Sequence, residues 1–236
     1  MRQAVFAIAV IATLCVAASA AHAGSISVDV AYTADDEITG LYLLDNTATL
    51  TDLTSSLGSD ACDWRKVDTL TLNGLEASTT YQVIFRVENN ADKFPAGKYN
   101  PAQLLAEISG TDLTGDLLSS SDWDYAIDTG KEPGDAGFSF GGLTWSSAVE
   151  DYTNGDTTGA KNMLLIGGPL AGISKDAAWI WSMASTFTAD MDNNLWLRGS
   201  FTTGADPVPE PGTLALCGVG VVGMVLSRRR RLMRTA

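Results

Sequence analysis

The fold of this 236-residue chain is indicated most clearly by the stretch Thr80-Tyr81-Gln82-Val83-Ile84-Phe85-Arg86-Val87-Glu88. Apolar side chains occupy alternate positions from Tyr81 to Val87, and polar side chains occupy most positions between them. Because successive side chains of a β-strand point to opposite faces, this period of two predicts a strand with one buried face. Ile84 is the one apolar residue on the other face. The pattern favours an antiparallel sheet, in which strands commonly bury a single face.

The same period recurs on both sides of this stretch. Apolar residues alternate with polar ones from Ile26 to Tyr32, and threonines alternate with leucines from 69 to 72. Short strands separated by turns are typical of an antiparallel β-sandwich. Turn-forming residues lie between the candidate strands at Asn73-Gly74, 89–92, Gly134-Asp135 and 154–156.

The best candidate for a helix is Pro101 to Ile108, where the proline can occupy the first helical turn. The Leu-Leu-Ala-Glu-Ile run inside it fits a strand equally well. Since period-two stretches dominate elsewhere, we predict that residues 24–204 form an all-β domain, an antiparallel β-sandwich.

The composition narrows the classes of function. The chain has 15 Lys and Arg against 28 Asp and Glu, a formal charge of −13. Nucleic acid is therefore not expected as a partner, because phosphate binding depends on clustered basic residues. An apolar content of 45% with six tryptophans argues against disorder.

Residues 1–23 have the pattern of a secretory signal peptide. Arg2 precedes an apolar run from 4 to 18, and Ala21-His22-Ala23 supplies the small residues of a cleavage site. A first membrane helix is the alternative, but the run is short for one. We expect export by the secretion machinery and cleavage after Ala23.

Export limits the chemistry of the mature protein. His22 is the only histidine of the chain, so the exported domain is expected to lack a Ser-His-Asp triad and histidine metal ligands. Cys62 is the only cysteine between the signal peptide and the C-terminal apolar stretch, so no internal disulfide is expected. Residues 24–211 hold nine basic and 28 acidic residues, a formal charge of −19.

The C-terminal tail, residues 205–236, has three parts. A proline-rich linker ends in Pro209-Glu210-Pro211, an apolar stretch covers 213–227, and an arginine cluster lies within 228–234. The stretch is predicted to be a single apolar helix, which is short beside the roughly 20 residues that usually span a bilayer. Basic residues stay on the cytoplasmic side, so the acidic domain is expected on the exported side.

This tail resembles the PEP-CTERM sorting signal of bacteria that produce an extracellular polymeric matrix. The resemblance rests on Pro209-Glu210-Pro211, the apolar stretch and the basic run Arg228-Arg229-Arg230-Arg231, in that order. It implies that an exosortase-type, membrane-embedded cysteine protease recognises and processes the tail. An LPxTG-like motif for a sortase is absent. The alternative is a permanent single-pass anchor.

Several segments of the exported region occur in a characteristic order. They are 34–36 with 41–43, Asp63-Trp64, 80–89, 100–108, Trp123, Trp145, 179–181 and 195–198. In these segments the region resembles secreted jelly-roll domains with a galactose-binding-like sandwich, and the resemblance implies a binding or scaffold role. The sequence departs from that family where the usual Asn-Gly is Leu44-Asp45 and the usual glycine after Pro-Ala is Gln103.

The tryptophans are candidate carbohydrate-binding residues, since flat aromatic faces suit pyranose rings. Trp179 and Trp181 would point the same way on one strand, and Trp196 would lie on another. The alternative is that these large side chains belong to the core.

Two acidic clusters are candidate calcium sites, because calcium prefers clustered carboxylate and carbonyl oxygens. The first is Asp35, Asp36 and Glu37, and the second is Asp190, Asp192 and Asn194. The second cluster lacks the glycine and glutamate that continue an EF-hand loop, since Leu195 and Phe201 occupy those positions. The alternative is that both clusters cap turns and are solvated.

We therefore predict a non-enzymatic secreted or cell-surface protein that acts in the extracellular polysaccharide matrix by adhesion or carbohydrate binding. Its membrane anchorage through the C-terminal helix is expected to be at least transient. No nucleophile elbow, P-loop or metalloprotease motif is found. The alternatives are an extracellular glycoside hydrolase that uses two carboxylates and a purely structural surface protein. No cofactor besides structural calcium is expected.

Overall fold

A computed structural model describes residues 26–58, 63–89, 103–156, 169–182 and 194–205. Residues 26–204 of this set lie in one compact unit, Ser25–Gly204. The other unit comprises Met1–Gly24 and Ala205–Ala236.

Several predictions concern residues outside the described part of the chain. These are the signal peptide with its cleavage residues Ala21 and Ala23, the lone thiol Cys62, the acidic residues Asp190 and Asp192, and the tail from 206 onward. Among the residues that are described, no helix is long and apolar enough to cross a membrane.

The described residues form twelve β-strands and two short 3-10 turns, Thr54–Ser56 and Phe140–Gly142, which confirms the all-β prediction. The strands are β1 (Ile26–Asp35), β2 (Glu37–Asp45), β3 (Leu50–Asp52), β4 (Asp68–Leu75), β5 (Thr80–Glu88), β6 (Gln103–Ser109), β7 (Leu117–Leu118), β8 (Asp124–Ile127), β9 (Ser146–Ser147), β10 (Val149–Thr153), β11 (Ala178–Trp181) and β12 (Asn194–Thr202).

The strands are arranged in two antiparallel sheets. Sheet A has the order β10-β11-β6-β1-β4, with β7 also pairing with β6. Sheet B has the order β3-β2-β5-β12-β8-β9. The jelly-roll topology and the galactose-binding-like relationship stay predictions.

The main core lies between the two sheets. Val28 and Val30 of sheet A and Val83 and Phe85 of sheet B are buried in one apolar cluster. The Tyr32 ring of sheet A lies 5.6 Å from the Phe85 ring of sheet B, centroid to centroid. Burying a side chain of this size is worth about 2–3 kcal/mol. The alternating residues seen in the sequence therefore supply the inner faces of both sheets.

The outer face of sheet B is covered as well, which explains the apolar exception in β5. Ile84 is fully buried, together with Trp196 and Tyr42 on neighbouring strands. The segment 138–145 packs over them, and the Phe140 ring meets the Trp196 ring edge-on at 5.2 Å. Strand β5 is consequently buried on both faces rather than on one.

A polar side chain organises the cover on the outer face of sheet A. Asn154, which has no exposed surface, donates to the carbonyl oxygens of Leu170 (3.1 Å), Ile173 (2.9 Å) and Ser174 (3.2 Å). Its own side-chain oxygen accepts from the Leu170 N–H at 2.9 Å. These bonds hold the segment 170–174 over the apolar side chains of sheet A, among them Trp179.

The structure settles one open alternative and corrects one local prediction. Of the helix and the strand considered for 101–108, the strand is found from residue 103 onward, because Leu104 and Ile108 face the core between the sheets while Leu105 packs under the outer cover. Asn73-Gly74 lies inside β4 and forms no separate turn. Gly74 sits at a register shift with a φ of 75°, a left-handed conformation that glycine adopts readily at a β-bulge.

Replacing Asn154 with alanine is expected to lower the free energy of unfolding by about 2–3 kcal/mol, because buried carbonyl groups would lose their donor. The measurement is urea denaturation of the purified exported protein, with Asn73→Ala as the control. Asn73 is an exposed asparagine, and its replacement is expected to cost much less. Equal losses in the two variants would contradict the role assigned to Asn154.

Candidate functional site

The three tryptophans predicted to bind carbohydrate are all buried. Trp179 and Trp181 are 1% exposed and Trp196 is 0% exposed. Trp181 lies in the core between the sheets, whereas Trp179 lies under the cover of sheet A. The two side chains were expected to point the same way, but they lie in different apolar clusters. None of the three rings presents a face to solvent in this structure. Trp179 and Trp196 are buried under the covers on the outer faces of their sheets, and Trp181 is buried between the two sheets.

The partly buried tryptophans already carry a cation on their rings. The Arg65 guanidinium lies 4.7 Å from the ring centre of Trp64, and that of Arg198 lies 4.0 Å from the ring centre of Trp145. Arg198 also forms an ion pair with Asp124 at 2.9 Å. These contacts are cation–π interactions that occupy the ring faces a sugar would need.

The acidic pair Asp35 and Asp36 is placed where β1 passes into β2. Asp35 is only 6% exposed and lies directly opposite Gln103 in the pairing of β1 with β6. Burial, with the neighbouring Asp36 carboxylate as a second cause, raises the pKa of Asp35 from 3.8 to about 8, and Arg65 opposes this rise. The Asp35 carboxyl therefore holds its proton at neutral pH, which suits a hydrogen-bond donor better than a ligand for a cation.

The described residues add no support for calcium binding. They contain no group of three or more His, Cys, Asp and Glu side chains that could hold a metal ion. Of the second predicted cluster, only Asn194 is described, and it begins β12 opposite Glu88. The two predicted calcium sites, at Asp35, Asp36 and Glu37 and at Asp190, Asp192 and Asn194, stay predictions.

The raised pKa of Asp35 makes stability depend on pH. Between about pH 4 and pH 8 the unfolded chain loses this proton and the folded protein keeps it, so the free energy of unfolding falls as the pH rises. Asp35→Asn removes that dependence and is expected to raise stability at pH 7 by a few kcal/mol, roughly 1.4 for each pH unit of the interval. Thermal melts of parent and variant at pH 4 and pH 7 measure the difference.

The matched control for this prediction is Asp45→Asn. Hydrogen bonds from Thr47, followed by those from Thr49, lower the pKa of the exposed Asp45 carboxyl, so its replacement is expected to give no gain at pH 7. If the Asp35→Asn variant has the same melting temperature as its parent at both pH values, the Asp35 carboxyl is not buried as described.

An open cleft of about 370 Å³ lies between the edge strands of the two sheets. It is bounded by β3 of sheet B and β4 of sheet A. Its apolar lining includes Leu43, Leu53 and Leu72. Its polar lining includes Asp45, Thr51, Thr71, Asn73 and Glu76. The volume lies within the range of small-molecule sites.

Local sequence positions these polar groups. Asp45 ends β2, and its Oδ1 accepts hydrogen bonds from the Thr47 N–H at 2.8 Å, the Thr47 hydroxyl at 2.7 Å and the Thr49 N–H at 2.8 Å. These bonds hold Asp45 as an ionised carboxylate at the rim. On β4, Thr71 and Asn73 are exposed while Leu72 between them is buried. The period of two turns Thr71 and Asn73 to the face opposite Leu72, where the Thr71 hydroxyl donates to Asp29 Oδ1 at 2.7 Å and Asn73 Oδ1 accepts from the Ser27 hydroxyl at 2.6 Å.

The cleft can bind a neutral ligand that carries many hydroxyl groups. Carboxylates accept hydrogen bonds from hydroxyls, and the threonine and asparagine side chains both donate and accept. None of the described residues that line the cleft is basic, so an anion would find no counter-charge there. The sequence reasoning missed this cleft because β3 and β4 are separated by 15 residues and belong to different sheets.

Comparison with known proteins identifies the tail. Residues 207–231 match the PEP-CTERM protein-sorting motif, which confirms the sorting segment built on Pro209-Glu210-Pro211 and Arg228 to Arg231. No curated protein and no solved structure matches the chain. The motif marks an exported protein with a membrane-anchored sorting signal, and proteins that carry it are exosortase substrates.

Proposed function

We propose that this protein acts in the extracellular polysaccharide matrix as a non-enzymatic carbohydrate-binding or adhesion protein. Its binding site in this proposal is the open cleft between β3 and β4. The observation that carries the proposal is the sorting motif at residues 207–231, which directs a secreted protein to the surface. The described part of the domain that it delivers contains an open cleft whose chemistry suits a saccharide.

The character of the cleft supports a neutral saccharide as the ligand. Leucine side chains on its floor can contact the C–H faces of a sugar, and Asp45 and Glu76 can accept hydrogen bonds from sugar hydroxyls. Since the three predicted tryptophans are buried, binding would rest on these groups rather than on aromatic stacking. Such a site favours modest affinity for each unit and repeated contacts along a polymer.

Binding of the exported protein to an array of neutral polysaccharides tests the proposal. Glu76→Gln is expected to weaken binding about 10-fold or more, because a hydrogen bond that involves a charged group contributes about 1.5–3 kcal/mol. Asn73→Ala is expected to weaken binding severalfold, because a hydrogen bond between neutral groups contributes about 0.5–1.5 kcal/mol. Asp122→Asn is the control, since Asp122 is an exposed carboxylate that does not line the cleft.

The same preparation distinguishes the alternatives. Release of reducing sugar that is lost in Asp45→Ala or Glu76→Ala would replace the binding proposal with a carboxylate-dependent glycoside hydrolase. Neither binding nor hydrolysis by the parent protein would favour a purely structural role at the surface.

Mass spectrometry of the native protein tests the sorting part of the proposal. Processing by an exosortase-type protease is expected to remove the chain beyond about Pro211, including Arg228 to Arg231. Recovery of the protein with these arginines intact would favour a permanent anchor.

A further inference from the structure

The folded domain holds its chain firmly up to the last residues before the sorting motif. The Thr203 N–H donates to the Thr79 carbonyl at 3.0 Å, and the Thr79 N–H donates to the Thr203 hydroxyl oxygen at 2.9 Å. That hydroxyl donates in turn to the Glu76 carbonyl at 2.6 Å. Thr203 is only 1% exposed. The turn between β4 and β5 thus grips the chain directly after β12.

A second segment holds the chain from the other side. The Gly204 N–H donates to the Asp112 carbonyl at 2.5 Å, and the Gly204 carbonyl accepts from the Ser78 N–H at 2.9 Å. Leu113 and Thr203 form an isolated antiparallel β-bridge. We call residues 76–79, 112–114 and 202–204 the exit clamp.

The exit clamp leaves very little chain before the sorting motif. The motif begins at residue 207, and four residues, 205–208, separate Gly204 from Pro209. The five Cα-to-Cα steps from Gly204 to Pro209 span at most about 18 Å when the chain is fully extended. An enzyme bound at Pro209-Glu210-Pro211 thus lies within about 18 Å of the exit clamp, less than the roughly 30 Å diameter of a small domain.

We propose that the exit clamp is the surface of the folded domain that contacts the membrane-embedded sorting protease while the tail is being processed. The inference rests on the proposed sorting function. The opposite end of the domain is out of reach, because the nine residues of β12 run from Thr202 in the exit clamp back to Asn194 and span about 27 Å. Contact is therefore confined to one end of the sheets by chain length alone.

Photo-crosslinking in the full chain, in cells that contain the sorting protease, tests this surface. A photoreactive amino acid replaces Thr114, an exposed residue of the exit clamp, or Thr129, an exposed residue beside Asp128 at the other end of β12. We expect crosslinks to the protease from position 114 at a yield at least 10-fold above that from position 129. A flexible insert of about 20 Gly and Ser residues between Gly204 and Pro207 adds roughly 25 Å of mean reach. It is expected to lower the yield at position 114 severalfold while the tail is still removed.

The outcomes separate this inference from the function on which it rests. Equal yields at the two positions, or a yield at position 114 that the insert does not lower, would overturn the docking surface. Normal removal of the tail without any crosslink from position 114 would do the same. An intact tail in the parent chain would overturn the sorting function itself.

Thr203→Val tests the clamp separately from the linker. It removes the hydroxyl that bonds to Thr79 and Glu76. Without these bonds residues 203 and 204 can detach from the domain, which lengthens the tether, so the crosslink yield at position 114 is expected to fall severalfold. Thr202→Val is the matched control, since the Thr202 hydroxyl meets only the exposed Thr80 hydroxyl among its side-chain bonds, at 3.0 Å. Equal yields in the two variants would contradict a clamp that sets the tether length.

Discussion

Strand β5 pairs along its whole length with β2 on one side and β12 on the other, and it is buried on both faces. Its inward side chains, such as Phe85, meet sheet A, and Ile84 packs outward under the segment 138–145. The rest of sheet B is arranged around this double burial. A central strand that is apolar on both faces needs a cover, and the long connection between β8 and β9 supplies one.

The burial of both faces of β5 also places a charged residue of this strand, Arg86, in the interior. Arg86 of β5 is 9% exposed and forms ion pairs with Asp128, at 2.6 Å, and with Glu132. Its guanidinium also lies 5.5 Å from the ring centre of Trp196. A buried cation requires such partners, because removing one would leave an uncompensated charge in an apolar region. The segment that covers sheet B therefore also neutralises the charge on it.

The outer covers bury Trp179 on sheet A and Trp196 on sheet B, while Thr69, Thr71 and Asn73 of β4 stay exposed. The tryptophans predicted to bind carbohydrate are therefore core residues, and the open cleft lies between β3 and β4. The turn that ends in Thr79 borders this cleft through Glu76 and also holds Thr203. The cleft and the exit of the chain are therefore neighbours at one end of the domain.

Much of the fold could be predicted from local pattern. Alternation in β1 and β5 indicated antiparallel strands, and the order of proline motif, apolar stretch and arginines indicated the sorting tail. Local pattern says less where a residue's role depends on a distant partner. Asn154 lies in a turn as predicted, and it also bonds to carbonyls 16 to 20 residues away. Burial, with the Asp36 carboxylate as a second cause, raises the pKa of Asp35 to about 8, which no local pattern shows.

The sequence by itself determined the strand period, the acidic charge of the exported region and the address at the C-terminus, because each is carried by neighbouring residues. Tertiary structure alone decided which faces are covered, and hence whether a tryptophan such as Trp196 is a binding surface or a core side chain. It also decided that β3 and β4 border a common cleft. The physical reason is that burial depends on segments that meet only when the two sheets pack, and no local period records which segment will cover which face.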